Sequence, residues 1–143
     1  MPDTQDPPFP PVWPFSVFSP EGFSPNIRMF RGDQFTFSRA VYDANGSAVN
    51  ISGKTIRMTA KYTPADPDAS AVFTLTSPSS GITITSAAGG RYQVIIPATA
   101  TSALAPHPVD LQYDIQIANS AGNPQTVMRG VLTVEPDISQ TAP

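Results

Sequence analysis

From Arg31 onward, apolar and polar residues alternate with a period of two, and short runs of turn residues break the alternation. Phe35, Phe37 and Val41 share one face against Gln34, Thr36 and Ser38. Ala44-Asn45-Gly46-Ser47 follows, and Asn-Gly is a hairpin signal because both residues tolerate positive φ. Ile56, Met58, Ala60 and Tyr62 then face one way, while Thr55, Arg57, Thr59 and Lys61 face the other. Residues 64–70 read as a loop. Val72 to Thr76, Ile82 to Thr85 and Arg91 to Ile96 are predicted strands, parted by Ser77-Pro78-Ser79-Ser80-Gly81 and Ala87-Ala88-Gly89-Gly90. Residues 97–105 accommodate one short helical turn. The clearest strand is Val109 to Ala118, with Val109, Leu111, Tyr113, Ile115 and Ile117 inward and Asp110, Gln112, Asp114 and Gln116 outward. After Asn119-Ser120-Ala121-Gly122-Asn123, a last strand runs from Thr126 to Val134 and stops at Pro136. Several short strands, each with one buried face, and no helix of length predict an all-β domain. The architecture expected over residues 31–136 is a single immunoglobulin-like antiparallel β-sandwich, with a small barrel as its main rival. Residues 137–143 form a C-terminal tail.

The first thirty residues follow another rule. They hold Pro2, Pro7, Pro8, Pro10, Pro11, Pro14, Pro20 and Pro25, eight of the 17 prolines, together with Phe9, Trp13, Phe15, Phe18, Phe23 and Phe30. Proline fixes φ and removes a hydrogen-bond donor, so this stretch is expected to run as extended, polyproline-like chain. A disordered tail would share the prolines but is ordinarily poor in aromatics. Rings left in water are costly, and proline stiffness lowers the entropy lost on docking. The expectation is an extended N-terminal docking arm over residues 1–30, with Phe9, Trp13, Phe15, Phe18 and Phe23 as the partner-binding residues. Folding back on its own domain is the alternative.

Composition narrows the function. A chain of 143 residues with 40% hydrophobic content can build one core. Only 13% of residues are charged, about half the ordinary share, and a surface rich in hydroxyls is common in extracellular and virion β proteins. The net charge of −3, with Lys and Arg scattered, argues against a nucleic-acid partner. The absence of Cys excludes disulfides, thiolate metal sites and cysteine nucleophiles. No apolar run is long enough to span a membrane, so no membrane partner is expected. MPDTQDPPFPP lacks the basic start and apolar run of a signal peptide, which predicts synthesis in a cytoplasm without export by that route.

The stretch RGDQFTFSRAVYDANGSAVNISGKTIRM places Gly32-Asp33 before an aromatic strand, then Asn45-Gly46, then Val49-Asn50-Ile51-Ser52-Gly53 before the next strand. GITITSAAGGRYQVIIPATATSAL and YDIQIANSAGNPQTVMRGVLTVEPDIS continue that order. Residues 31–138 thereby resemble the sandwich modules of tailed-bacteriophage virion proteins. They are similar to the N-terminal domain of phage baseplate upper proteins and to small tail and head-decoration proteins. The resemblance implies a scaffold or adaptor located in the virion and made in the host bacterial cytoplasm, with other virion structural proteins as partners and no catalysis. A multi-copy assembly, as a trimer or hexamer, would suit particle symmetry.

Candidate chemistry is thin. His107 lies in the rigid loop Ala105-Pro106-His107-Pro108, and no GxSxG nucleophile elbow accompanies it. Asp110 and Asp114 share a strand face but stand ~13 Å apart along it, too far for paired glycosidase carboxylates at about 5 to 9.5 Å. Asp66 and Asp68 offer two carboxylates where calcium wants six to eight oxygens. No catalytic, cofactor-binding or metal-binding residues are therefore assigned, and no cofactor is expected. Arg31-Gly32-Asp33 matches an adhesion tripeptide but sits at a strand entrance, where Gly and Asp have ordinary turn roles. Asn45-Gly46-Ser47 and Asn50-Ile51-Ser52 are glycosylation sequons, without consequence in a protein that is not exported. Gly89-Gly90 precedes a strand, not the helix that a phosphate-cradling loop needs. The alternative function is a host-surface or carbohydrate-binding module, in which Tyr62, Tyr92 and Tyr113 would stack on sugars unless they belong to the core.

Overall fold

A computed structural model describes residues 25–138. Eight strands run in chain order: β1 (Ile27–Phe30), β2 (Phe35–Ala40), β3 (Thr55–Lys61), β4 (Phe73–Thr76), β5 (Ile82–Ser86), β6 (Arg91–Ile96), β7 (Val109–Ala118) and β8 (Pro124–Glu135). Single 3₁₀ turns occur at Asp68–Ser70 and Ala98–Ala100. The strands form two sheets, a five-stranded β1-β8-β7-β3-β4 and a three-stranded β2-β6-β5. This is the immunoglobulin-like order: the second strand of the chain pairs in one sheet and the third crosses to the other.

The core is the sum of the inward alternations. Ile56, Met58 and Ala60 of β3, Leu111, Tyr113, Ile115 and Ile117 of β7, and Leu132 and Val134 of β8 face Phe37 of β2, Ile82 of β5 and Tyr92, Val94 and Ile96 of β6. Many of these side chains are wholly buried, and each large aliphatic one contributes about 1.5–3 kcal/mol by leaving water. Strand spans agree with the alternation, and β6 and β7 begin and end where the pattern does.

Three features depart from the sequence expectations, and a fourth, Arg39, was not anticipated. Residues 27–30, expected in the arm, are sandwich: β1 pairs in parallel with β8, matching Ile27 to Leu132 and Phe30 to Glu135. Ile27 and Met29 point into the core, which is why the chain takes the sheet edge there. The sheets are thus not purely antiparallel. Asn45-Gly46 makes a tight reversal, with Gly46 at φ 83° and its N–H donating to the Asp43 carbonyl. It does not pair β2 with β3, because Ile51 is buried and carries the chain to the opposite sheet. Tyr62, expected inward, lies just beyond β3 and is exposed. Arg39, in phase with Phe35 and Phe37, turns inward, its guanidinium 5.0 Å from the Phe37 ring centre.

Candidate functional site

Two places on the sandwich bring polar chemistry together. The first is where the chain enters the sheet. Gly130, in the middle of β8, stands opposite Tyr113 of β7. Having no side chain, it leaves a slot that Pro25 occupies: a Cβ there would lie 2.5 Å from the Pro25 carbonyl oxygen. The Tyr113 hydroxyl donates to that same oxygen. Burial pushes the Tyr113 phenol up to about 12, so it stays a donor across the physiological range. One residue on, the Asn26 side chain accepts from the Val131 N–H at 3.1 Å, extending the ladder of β8.

Arg31 locks the other end of β1. Its Nε donates to Asp137 at 2.8 Å and one terminal nitrogen donates to the Leu104 carbonyl at 2.9 Å. The Gly32 N–H donates to the buried Thr101 hydroxyl at 2.9 Å. The Arg-Gly-Asp tripeptide thus spends its guanidinium inside the fold.

The second place is a concavity of about 320 Å³ on the outer face of the five-stranded sheet. Arg57, Thr59 and Lys61 of β3 and Gln112, Asp114 and Gln116 of β7 form its floor. Arg129 of β8 flanks them, and Pro64 and Asp68 of the β3–β4 loop make a wall. Asp114 faces Thr59 on one side and Arg129 on the other. The β-bulge in the β7–β8 pairing beside Gln116 strengthens the local twist just ahead of Arg129.

Partners are unevenly distributed over this floor. Lys61 donates to Asp68 and to the Asp66 carbonyl, both at 2.7 Å, and Arg57 donates to Gln116 at 2.9 Å. The side chains of Asp114, Gln112 and Arg129 make no hydrogen bond or ion pair among the described residues. Burial raises the Asp114 carboxyl above its ordinary range, against the pull of Arg57, Lys61 and Arg129. Asp68 goes the other way, lowered by its hydrogen bond from Lys61, and Asp66 is lowered by the Thr63 hydroxyl and N–H.

Phe9, Trp13, Phe15, Phe18 and Phe23 lie outside the described residues. Of the aromatics expected in the arm, Phe30 alone is described, and it is 54% exposed on the edge strand. His107 is exposed, its Nδ1 3.1 Å from the Pro108 carbonyl. Asp110 accepts from the Thr133 hydroxyl at 2.8 Å. Tyr92 and Tyr113 belong to the core. Among the described residues no group of three or more His, Cys, Asp or Glu could hold a metal ion, and no helix is long and apolar enough to cross a membrane. The strand pattern put Asp114, Gln112 and Gln116 on one outer face, yet did not reveal the concavity, because Arg57 and Lys61 reach it only through the β3–β7 pairing.

No protein-family model and no curated protein matches the chain. Among solved structures, the soluble domain of PmoD from Methylocystis sp. ATCC 49242 (Rockwell) is similar at 11% identity, with a TM-score of 0.41 over 82% of this chain and 86% of that one. That likeness is too distant to carry an argument about function.

Proposed function

We propose that this chain is a non-enzymatic structural module of a tailed-phage particle, a sandwich scaffold attached to neighbouring subunits through its N-terminal arm. The observation that carries the reading is the concentration of Phe9, Trp13, Phe15, Phe18 and Phe23 among prolines, directly ahead of a segment the sandwich grips at Pro25, Asn26 and β1. A fixed point of departure suits an arm that must reach a defined groove on another subunit. Interface energy concentrates in buried aromatic anchors, whose truncation typically costs about 2 kcal/mol or more. The resemblance of residues 31–138 to virion sandwich modules supplies the class of partner, other virion structural proteins in a multi-copy assembly.

Deletion of residues 2–24 tests this. The truncated chain retains Pro25 and β1 and is expected to fold, yet to be missing from assembled particles. Normal incorporation of the truncated protein removes the reading.

A further inference from the structure

We infer that the concavity on the outer face of the five-stranded sheet is a saccharide-binding site, with Asp114 and Arg129 as its central pair. This rests on the geometry of the floor and is independent of the arm's role.

The unpartnered side chains define what a ligand must offer. Ionised Asp114 only accepts hydrogen bonds, Arg129 only donates them, and the Gln112 amide does both. Asp114 and Arg129 are direct neighbours across the β7–β8 pairing, which sets their Cβ atoms roughly 5 Å apart. Gln112 follows along β7 at roughly 7 Å from Asp114. A ligand that satisfies all three must carry donors and acceptors alternating over that distance.

Simple ions do not meet the requirement. A free carboxylate or phosphate drawn to Arg129 is repelled by Asp114, and an ammonium drawn to Asp114 meets the field of Arg57, Lys61 and Arg129. A hydroxyl is donor and acceptor at once. Two adjacent hydroxyls on a sugar ring can donate to Asp114 and accept from Arg129, while a third meets Gln112. Pro64, in the wall, offers an apolar surface for the C–H face of the ring. The volume of about 320 Å³ is at the small end of ligand clefts, roughly 300–1,000 Å³, which suits a mono- or disaccharide.

The remaining residues make the floor rigid. Asp68 and the Asp66 carbonyl hold Lys61, and Gln116 holds Arg57, so neither cation collapses onto Asp114. The Asp114 carboxylate is left half-buried in the concavity, with hydrogen-bonding capacity that no described side chain uses and that a ligand's donors can reach.

The test is an NMR titration of the full-length, isotope-labelled protein with methyl glycosides of glucose, galactose and mannose and with N-acetylglucosamine. Sodium acetate and methylammonium chloride serve as ionic controls. Saturable amide shifts confined to residues 57–61, 112–116 and 129, seen with a glycoside and weakened at least tenfold in both Asp114→Asn and Arg129→Gln, are expected. Arg28→Gln, on the same sheet but outside the concavity, is expected to bind as the parent does. The inference is overturned if no glycoside gives saturable shifts, if either central variant binds unchanged, or if acetate or methylammonium produces the same shifts as the sugars. Failure here leaves the arm deletion untouched, because that experiment reads incorporation and not sugar binding.

Discussion

At the residue scale, Gly130 and Asp114 carry opposite kinds of tension. Gly130 is a glycine because the Pro25 backbone passes through the space a Cβ would fill. Gly130→Ala must push that segment outward, with an overpacking cost of about 1–3 kcal/mol in urea denaturation. Tyr113→Phe removes the hydroxyl that donates to the same Pro25 oxygen and should cost about 1 kcal/mol. Because both changes loosen one segment, the double variant is expected to lose less than the sum of the two. Simple additivity would mean that Pro25 is held elsewhere. Asp114 behaves differently, since its folded pKa is raised. The folded state then binds protons more readily than the unfolded chain, so stability falls as pH rises through the carboxylate range and the penalty persists above it. Asp114→Asn should therefore be at least as stable as the parent at neutral pH, with the difference closing toward about pH 3. Denaturation midpoints at the two pH values check the sign. A variant clearly less stable than the parent at neutral pH would contradict it.

At the scale of elements, β1 has a role out of proportion to its length. It has four residues and parallel pairing on one side only, yet it buries Ile27 and Met29 and covers the edge of β8. Met29→Ala is expected to cost about 2–5 kcal/mol, the range for a buried large-to-small change. A cost near zero would show that β1 is detached in solution. The sequence concealed this strand because Pro25 stands beside it and four residues are too few for alternation to stand out. By contrast, β6 and β7 were legible to the residue, since β7 alternates from Val109 to Ile117 and both strands are bounded by proline- or glycine-containing turns. In β2 the period-two face reads through Phe35, Phe37 and Val41 and passes over Arg39, because a charge at an inward position reads as a break in the pattern until its stacking on the Phe37 ring is seen. The concavity was legible only in part. Its Gln112, Asp114 and Gln116 row follows from period two, whereas the approach of Arg57, Lys61 and Arg129 depends on strand neighbours far away in sequence. Asn45-Gly46 misleads for the same reason: turn chemistry fixes a reversal over five residues but is silent on which sheet the chain joins next.

At the scale of the whole molecule, the distribution of aromatic residues separates two reporters. The single tryptophan, Trp13, falls within the first thirty residues, the proposed arm, while Tyr92 and Tyr113 lie in the core. Tryptophan emission therefore reads the environment of the arm, and far-ultraviolet circular dichroism reads the two sheets. If the arm exists to dock on another chain, Trp13 in the isolated protein should emit as a hydrated indole and change little while the sheets melt. On assembly, the ring should leave water and its emission move to shorter wavelength, with quenching by added iodide falling in step. Burial of an aromatic side chain at the centre of an interface is the event that stabilises such contacts most, so the shift should be lost when Phe9 and Phe15 are replaced by Ala and binding weakens. An isolated monomer whose Trp13 is already shielded, and whose emission shifts together with the loss of β signal, would place the arm on its own sandwich and remove the reason for a docking role.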